Sequence, residues 1–192
     1  MKRLTDPRLD RIARYYIERY WPSTGAFVSY MRRRLSRKDG FEPDSLGDVE
    51  QRLSALVETY QQEGLLDDRR WARSRGRALW RQGQSARMIR MKLKQKGISA
   101  DLIDLALREV QQDMAEAAEG MEQADRRDLS DLVAAISYAR RRRFGPVSLR
   151  DIDEAKATKQ LASLARRGFS YEICQQVLNG DRDELEDLLS RR

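Results

Sequence analysis

No histidine occurs among the 192 residues, and Cys174 is the single cysteine. Those two absences remove disulfide frameworks, zinc sites built from Cys and His, and proton transfer through imidazole. A non-enzymatic protein without metal or cofactor is therefore expected. No apolar run approaches the roughly 18 residues that span a bilayer, and the N-terminal Met1-Lys2-Arg3-Leu4-Thr5-Asp6-Pro7 leads into no signal-peptide apolar core. The expectation is a soluble, cytoplasmic chain. Acidic residues are also missing where they would balance charge. From Arg69 to Ile98 the chain carries Arg69, Arg70, Arg73, Arg75, Arg77, Arg81, Arg87, Arg90, Lys92, Lys94 and Lys96 with no Asp or Glu among them. Solvated helices normally mix signs to gain i,i+4 pairs, so a single-sign run repels itself and calls for an anionic partner. The competing reading is a solvated face neutralised by Asp101, Asp104 and Glu109 further along.

What is present points the same way. The net charge is +7 and the sequence pI about 9.7, a balance that suits phosphates or an acidic protein surface. Hydrophobic residues make up 40% of the chain, low for one compact globule but adequate for short helical layers that each bury one stripe.

A seven-residue turn recurs. Leu93-Lys94-Gln95-Lys96-Gly97-Ile98-Ser99 is repeated as Leu164-Ala165-Arg166-Arg167-Gly168-Phe169-Ser170, and with one extra residue as Leu35-Ser36-Arg37-Lys38-Asp39-Gly40-Phe41. Glycine stops one helix and serine caps the next. Around these turns the chain reads as three-helix units. In the first, a helix from Arg8 to Tyr20 ends at Pro22, and Ser23 or Thr24 caps a second helix with Val28, Met31 and Leu35 inward. A third starts near Pro43-Asp44 with Leu46, Val49, Leu53, Leu56, Val57 and Tyr60 on one face. In the second unit Asp67 or Asp68 caps a helix bearing Trp71, Ala72, Leu79 and Trp80. Ser85 opens one with Ala86, Ile89 and Leu93, and Ser99 opens one with Leu102, Ile103, Ala106, Leu107, Val110 and Met114. The acidic stretch Ala118 to Asp131 reads as an extension of that helix followed by a connection. The third unit holds Leu132, Val133, Ile136 and Tyr138, a loop from Val147 to Asp153, and a helix Glu154 to Arg167 with Ala157, Leu161 and Leu164. Ser170 then caps a helix with Ile173, Cys174, Val177 and Leu178, and Asp183 to Ser190 closes the chain. The expected fold is all-α: three tandem three-helix repeats, residues 1–66, 67–120 and 121–192, in an elongated, curved array.

On the helix opened by Ser85, Arg87, Arg90 and Lys94 line one flank of the inward stripe, Lys92 and Lys96 the other, and Met88 and Met91 point outward as an adaptable contact patch. Trp71 and Trp80, nine positions apart, face opposite ways, and burial of both between units is expected. Arg81 and the cations flanking the later turns, Arg140, Arg141, Arg142, Arg143, Arg166 and Arg167, complete the candidate contact set. Asp67-Asp68 has no nucleophilic partner at helical spacing and reads as a cap.

Gly64-Leu65-Leu66-Asp67-Asp68 followed by Trp71-Ala72-Arg73, Gly83 with Ile89 and Leu93, Lys96-Gly97-Ile98, and later Leu164 to Ser170 with Val177-Leu178 resemble the RecX family of recombination regulators. The likeness covers roughly Glu63 to Leu107 and Phe144 to Leu178. The chain departs from the family pattern in carrying Trp71 where phenylalanine is usual, Lys92 where an acid is usual, and an extra residue at Asp39. A monomer is expected, and the resemblance implies a non-enzymatic modulator of DNA repair and recombination. Such a protein would bind the RecA recombinase, lodge in the groove of its filament on single-stranded DNA without sequence preference, and restrain ATP hydrolysis and strand exchange. From the residues alone, a sequence-independent DNA binder acting without RecA is the alternative.

Overall fold

The computed structural model describes residues 7–36, 46–112, 123–148 and 152–190. Their elements are α1 (Pro7–Tyr20), α2 (Thr24–Ser36), α3 (Leu46–Gln62), α4 (Asp68–Arg81), α5 (Ala86–Lys94), α6 (Ala100–Gln112), α7 (Gln123–Arg142), a 3-10 turn (Gly145–Val147), α8 (Glu154–Ala165), α9 (Tyr171–Asn179) and α10 (Arg182–Ser190). The all-α expectation holds. The Lys38-Asp39-Gly40 stop, the Pro43-Asp44 start, Met114 with the stretch from Ala118 to Glu122, and Leu149 to Asp151 lie outside the described residues. The chain forms two compact units, residues 1–72 with 94–102, and residues 73–93 with 103–192.

In the first unit Leu9, Ala13 and Ile17 of α1 recur every fourth residue, as do Phe27, Met31 and Leu35 of α2. Val49, Leu53, Leu56 and Tyr60 of α3 and Leu66 complete the core. Phe27 rather than Val28 takes the inward position. The larger ring fills the centre, edge-on to Tyr60 at 5.8 Å, and Val28, one 100° step away, packs at the margin. A polar clamp ties α1 to α3. The Tyr60 hydroxyl donates to Asp10 Oδ1 at 2.6 Å, and Arg14 bridges Asp10 and Glu63. Burial, then the bond to Asp10, pushes the Tyr60 phenol above its ordinary range.

In the second unit α7 packs on α9, the 3-10 turn and α10, while α8 packs on α9. Val133, Ala135, Ile136, Leu164, Cys174 and Val177 are among its buried residues. The acidic stretch is not a connection throughout. From Gln123 it is helical, and Asp128 and Asp131 lie within α7. Ala157 is exposed, because its single methyl offers little to bury and the first turns of α8 present Glu154, Lys156 and Lys159 to water. The tryptophans also divide. Trp80 is buried, its Nε1 donating to the Ser130 carbonyl at 3.0 Å, whereas Trp71 is half-buried and donates to the Trp21 carbonyl.

The recurrent turns behave as their residues require. Gly97 and Gly168 adopt φ of +81° and +89°, a region costly for any residue with a Cβ. Ile98 and Phe169 are buried behind them. Ser99 Oγ accepts from Leu102 N and Ser170 Oγ from Ile173 N. Asp67 caps α4 by accepting from Arg70 N at 2.9 Å.

Each turn docks on the start of an earlier helix, and the same junction is built twice. In the first unit Ser23 Oγ donates to the Lys96 carbonyl at 2.7 Å, and Thr24 N donates to Asp68 Oδ1 at 2.7 Å. In the second, Ser85 N donates to the Arg167 carbonyl at 3.1 Å, and Ala86 N donates to Asp131 Oδ1 at 2.7 Å. The acids fall 44 and 45 residues after the amides they cap. This periodicity is what a repeated three-helix unit produces.

Asp131 is held at a cost. Burial pushes its carboxyl up to about 6, the Ala86 N–H lowers it in part, and Asp128 raises it again. Because the folded value lies above the ordinary 3.8, the folded chain binds more protons between about pH 4 and 6, and stability from this group falls as pH rises through that window. The full step amounts to about 3 kcal/mol. Asp131→Asn keeps the acceptor for Ala86 and removes the charge. Urea midpoints from pH 4 to 7 should show this step flattened and the variant at least as stable as wild type at pH 7; an unchanged pH slope would contradict the assignment.

Candidate basic interface

The single-sign run is built on α4 and α5, and the acids of α6 neutralise part of it. Arg73 pairs with Glu109 at 2.9 Å and Arg90 with Asp104 at 2.6 Å. The solvated-face reading is met at these two positions. Positive charge still accumulates in two clefts of the second unit.

The first cleft, about 560 Å³, lies between α5, α6 and α7 and is lined by Ala86, Arg87, Arg90, Asp104, Leu107, Arg108, Gln111 and Arg127. Four guanidinium groups face one carboxylate there. The second, about 470 Å³, is lined by Arg81, Gln82, Gln84, Tyr138, Arg141, Arg142 and Arg167. It also has four guanidinium groups, and no carboxylate among its lining residues. Arg167 is fixed in place: its Nη1 donates to the Gln82 carbonyl at 2.6 Å and to the Gly83 carbonyl at 3.3 Å, and its guanidinium lies 3.8 Å from the Tyr138 ring centroid. The Tyr138 hydroxyl shares a hydrogen bond with Ser163 Oγ at 2.9 Å. Cation crowding registers on Lys92, whose ammonium is pushed below its ordinary range by burial first and then by Arg167 and Arg75. Planar guanidiniums suit bidentate contacts with phosphate or carboxylate. Among the described residues no group of three or more His, Cys, Asp or Glu side chains could hold a metal ion.

The expected contact residues are thus partly gathered. Arg81, Arg141, Arg142 and Arg167 share one cleft, and Arg87 and Arg90 share the other. Arg140 joins Arg141, Ser137 and Leu189 at a third, shallower depression. Arg143, at φ +56°, and Arg166 are exposed. Met91 is 45% exposed, but Met88 is half-buried, because the Gly168 turn lies against its Cβ. Lys94 and Lys96 are exposed and belong to the first unit, where the Lys96 carbonyl is engaged by Ser23. Sequence reasoning passed over Arg108 and Arg127, since each sits among acids and neither extends a basic run; their helix register was the available signal.

The description "RecX, second three-helix domain" matches residues 67–107. A curated protein named Regulatory protein RecX from Myxococcus xanthus (strain DK1622) is 28% identical over 181 residues, spanning 94% of this chain and 89% of the relative. Another of that name, from Agrobacterium fabrum (strain C58 / ATCC 33970), is 34% identical over 125 residues, spanning 65% of this chain and 58% of the relative. The chain is thus similar to proteins named Regulatory protein RecX over most of its length, and its residues 67–107 match the second three-helix domain of that family. No solved structure matches it. The matched residues take in α4, α5 and the first part of α6, so Arg81, Arg87 and Arg90 lie inside them and Arg108 directly follows the last one. Arg127, Arg141, Arg142 and Arg167 come from α7 and the α8–α9 turn and close the same clefts from outside the matched residues. No helix of the described residues is long and apolar enough to cross a membrane.

Proposed function

We propose that this chain is a regulator that binds the RecA recombinase and its filament on DNA and inhibits recombinase and ATPase activity, modulating DNA repair and homologous recombination. It acts as a monomer and without chemistry of its own. The observation that carries the reading is the pair of arginine-lined clefts on a chain whose relatives are named Regulatory protein RecX. Guanidiniums held on helices, and that of Arg167 in the α8–α9 turn clamped by two carbonyls and a tyrosine ring, are preorganised for phosphate oxygens and for carboxylates on a protein surface. A nucleoprotein filament presents both. The tandem repeats extend the contact along it, with residues 1–66, 67–120 and 121–192 as successive units.

Co-sedimentation tests the partner. The chain should pellet with RecA filaments assembled on single-stranded DNA at concentrations where it leaves the same DNA, bare, in the supernatant. Equal affinity for bare DNA would favour a sequence-independent DNA binder acting without RecA. Replacing Arg87, Arg90 and Lys94 together with glutamate should abolish inhibition of the RecA ATPase with helical circular dichroism unchanged; preserved inhibition would remove that flank from the interface.

A further inference from the structure

The junction between α1 and α2 holds a backbone conformation that its residue does not favour. Trp21 has φ +40°, in the left-handed region where a bulky side chain is an outlier. Ser23, two residues on, caps α2. At the equivalent junction before α5, Gly83 stands two residues ahead of Ser85 with φ +73°. The two caps agree in detail, with Ala26 N to Ser23 Oγ and Met88 N to Ser85 Oγ both at 3.2 Å and both serines fully buried. Glycine therefore satisfies this junction where it is used, yet the first junction carries tryptophan. The indole is not there to fill the core, because Trp21 is 41% exposed. Strain retained for an exposed side chain points to a use for that side chain.

Its neighbours suggest the use. Tyr20 is 63% exposed, and its ring lies 5.1 Å from that of Tyr16, which stacks on Tyr30 at 3.8 Å with the rings within 2° of parallel. Arg70 reaches within 5.7 Å of the Trp21 ring. Arg33 follows Tyr30 by three residues on α2, on the same side of the helix, and both arginines are exposed. The Trp21 carbonyl is fixed by Trp71 Nε1 at 3.0 Å.

We propose that Tyr20 and Trp21, backed by Tyr16 and Tyr30 and flanked by Arg33 and Arg70, form a seat for single-stranded nucleic acid. Unpaired bases stack on the exposed rings, and phosphates meet the two guanidiniums. A duplex keeps its base faces occupied and gains only the charge contacts. An acidic protein surface would likewise use the arginines but leave the ring faces idle. The proposal rests on the reading that DNA is a partner, and adds where the strand is held.

Anisotropy of a labelled oligothymidylate of about 15 nucleotides, titrated with the full chain and no RecA, tests it. Trp21→Gly should weaken binding about tenfold or more while the melting temperature stays within about 5 °C of wild type, since glycine relieves the left-handed strain. Trp21→Tyr should keep most of the affinity, and Tyr20→Ala, at an exposed side chain, should lose about fivefold or more. Duplex of the same length should bind more weakly and ignore both ring variants. Unchanged oligonucleotide affinity in Trp21→Gly and Tyr20→Ala would overturn the seat. So would variants that bind the oligonucleotide normally but no longer inhibit RecA, which would make the ledge a protein contact. A wild-type chain that binds the strand through these rings yet leaves the RecA ATPase untouched would sink the regulatory reading and leave the seat standing.

Discussion

Reversing charge in the second cleft, by Arg81→Glu, Arg141→Glu and Arg142→Glu together, should raise the concentration needed to inhibit the RecA ATPase by on the order of a hundredfold. The cleft gathers four guanidiniums without a carboxylate in its lining, so each replacement removes one attraction to an anion and adds one repulsion. Arg167 is left in place because it serves the fold, holding the Gln82 carbonyl and stacking on Tyr138. Folding should survive: Arg81, Arg141 and Arg142 are exposed, and thinning a crowd of like charges relieves repulsion. Salt dependence supplies a second readout. For every phosphate that the variant no longer neutralises, the slope of log affinity against log salt should flatten by about one. Inhibition that persists with an unchanged slope would place the working surface elsewhere.

The largest structural effect belongs to Gly168→Ala. The residue sits at φ +89°, and an added Cβ would fall on Ser85 Oγ. Ser85 cannot yield freely, since it is buried, caps α5 through Met88 N and donates its own N–H to the Arg167 carbonyl. Left-handed strain of about 1–2 kcal/mol and displacement of a buried cap add up to about 3 kcal/mol, or roughly 10 °C in melting temperature. Ser85→Gly in the same background should recover part of the loss by making room. Thermal melts of the single and double variants check this, and full wild-type stability in Gly168→Ala would show that the turn does not dock as described.

Local rules are legible in the sequence because they act over a few residues. Ser23, Ser85, Ser99 and Ser170 each cap the helix that their position announces, and Gly97 and Gly168 mark turns that need positive φ. Spacing places the stripes but not their centre, so Phe27 displaces Val28; which of two adjacent apolar residues turns inward depends on the facing helix. The acidic start of α7 does not read as helix because polarity resembles a connection when periodicity is weak. Long-range features leave fainter traces. The Thr24–Asp68 and Ala86–Asp131 bonds emerge only when one unit is laid on another. Arg108 and Arg127 reach a cleft with Arg87 and Arg90 only through the packing of α6 and α7 beside α5. Nothing in the letters announces that Trp21 adopts a conformation glycine fills at Gly83.

In the proposed function the chain restrains RecA through its arginine-lined surface rather than by covering DNA. The most direct test is the steady-state RecA ATPase on single-stranded DNA, with the chain held far below the amount that would coat the strand. Inhibition by wild type at that level, abolished in the Arg81, Arg141 and Arg142 triple variant, is the predicted result. An ATPase unaffected until the DNA is saturated, and equally affected by wild type and variant, would contradict it.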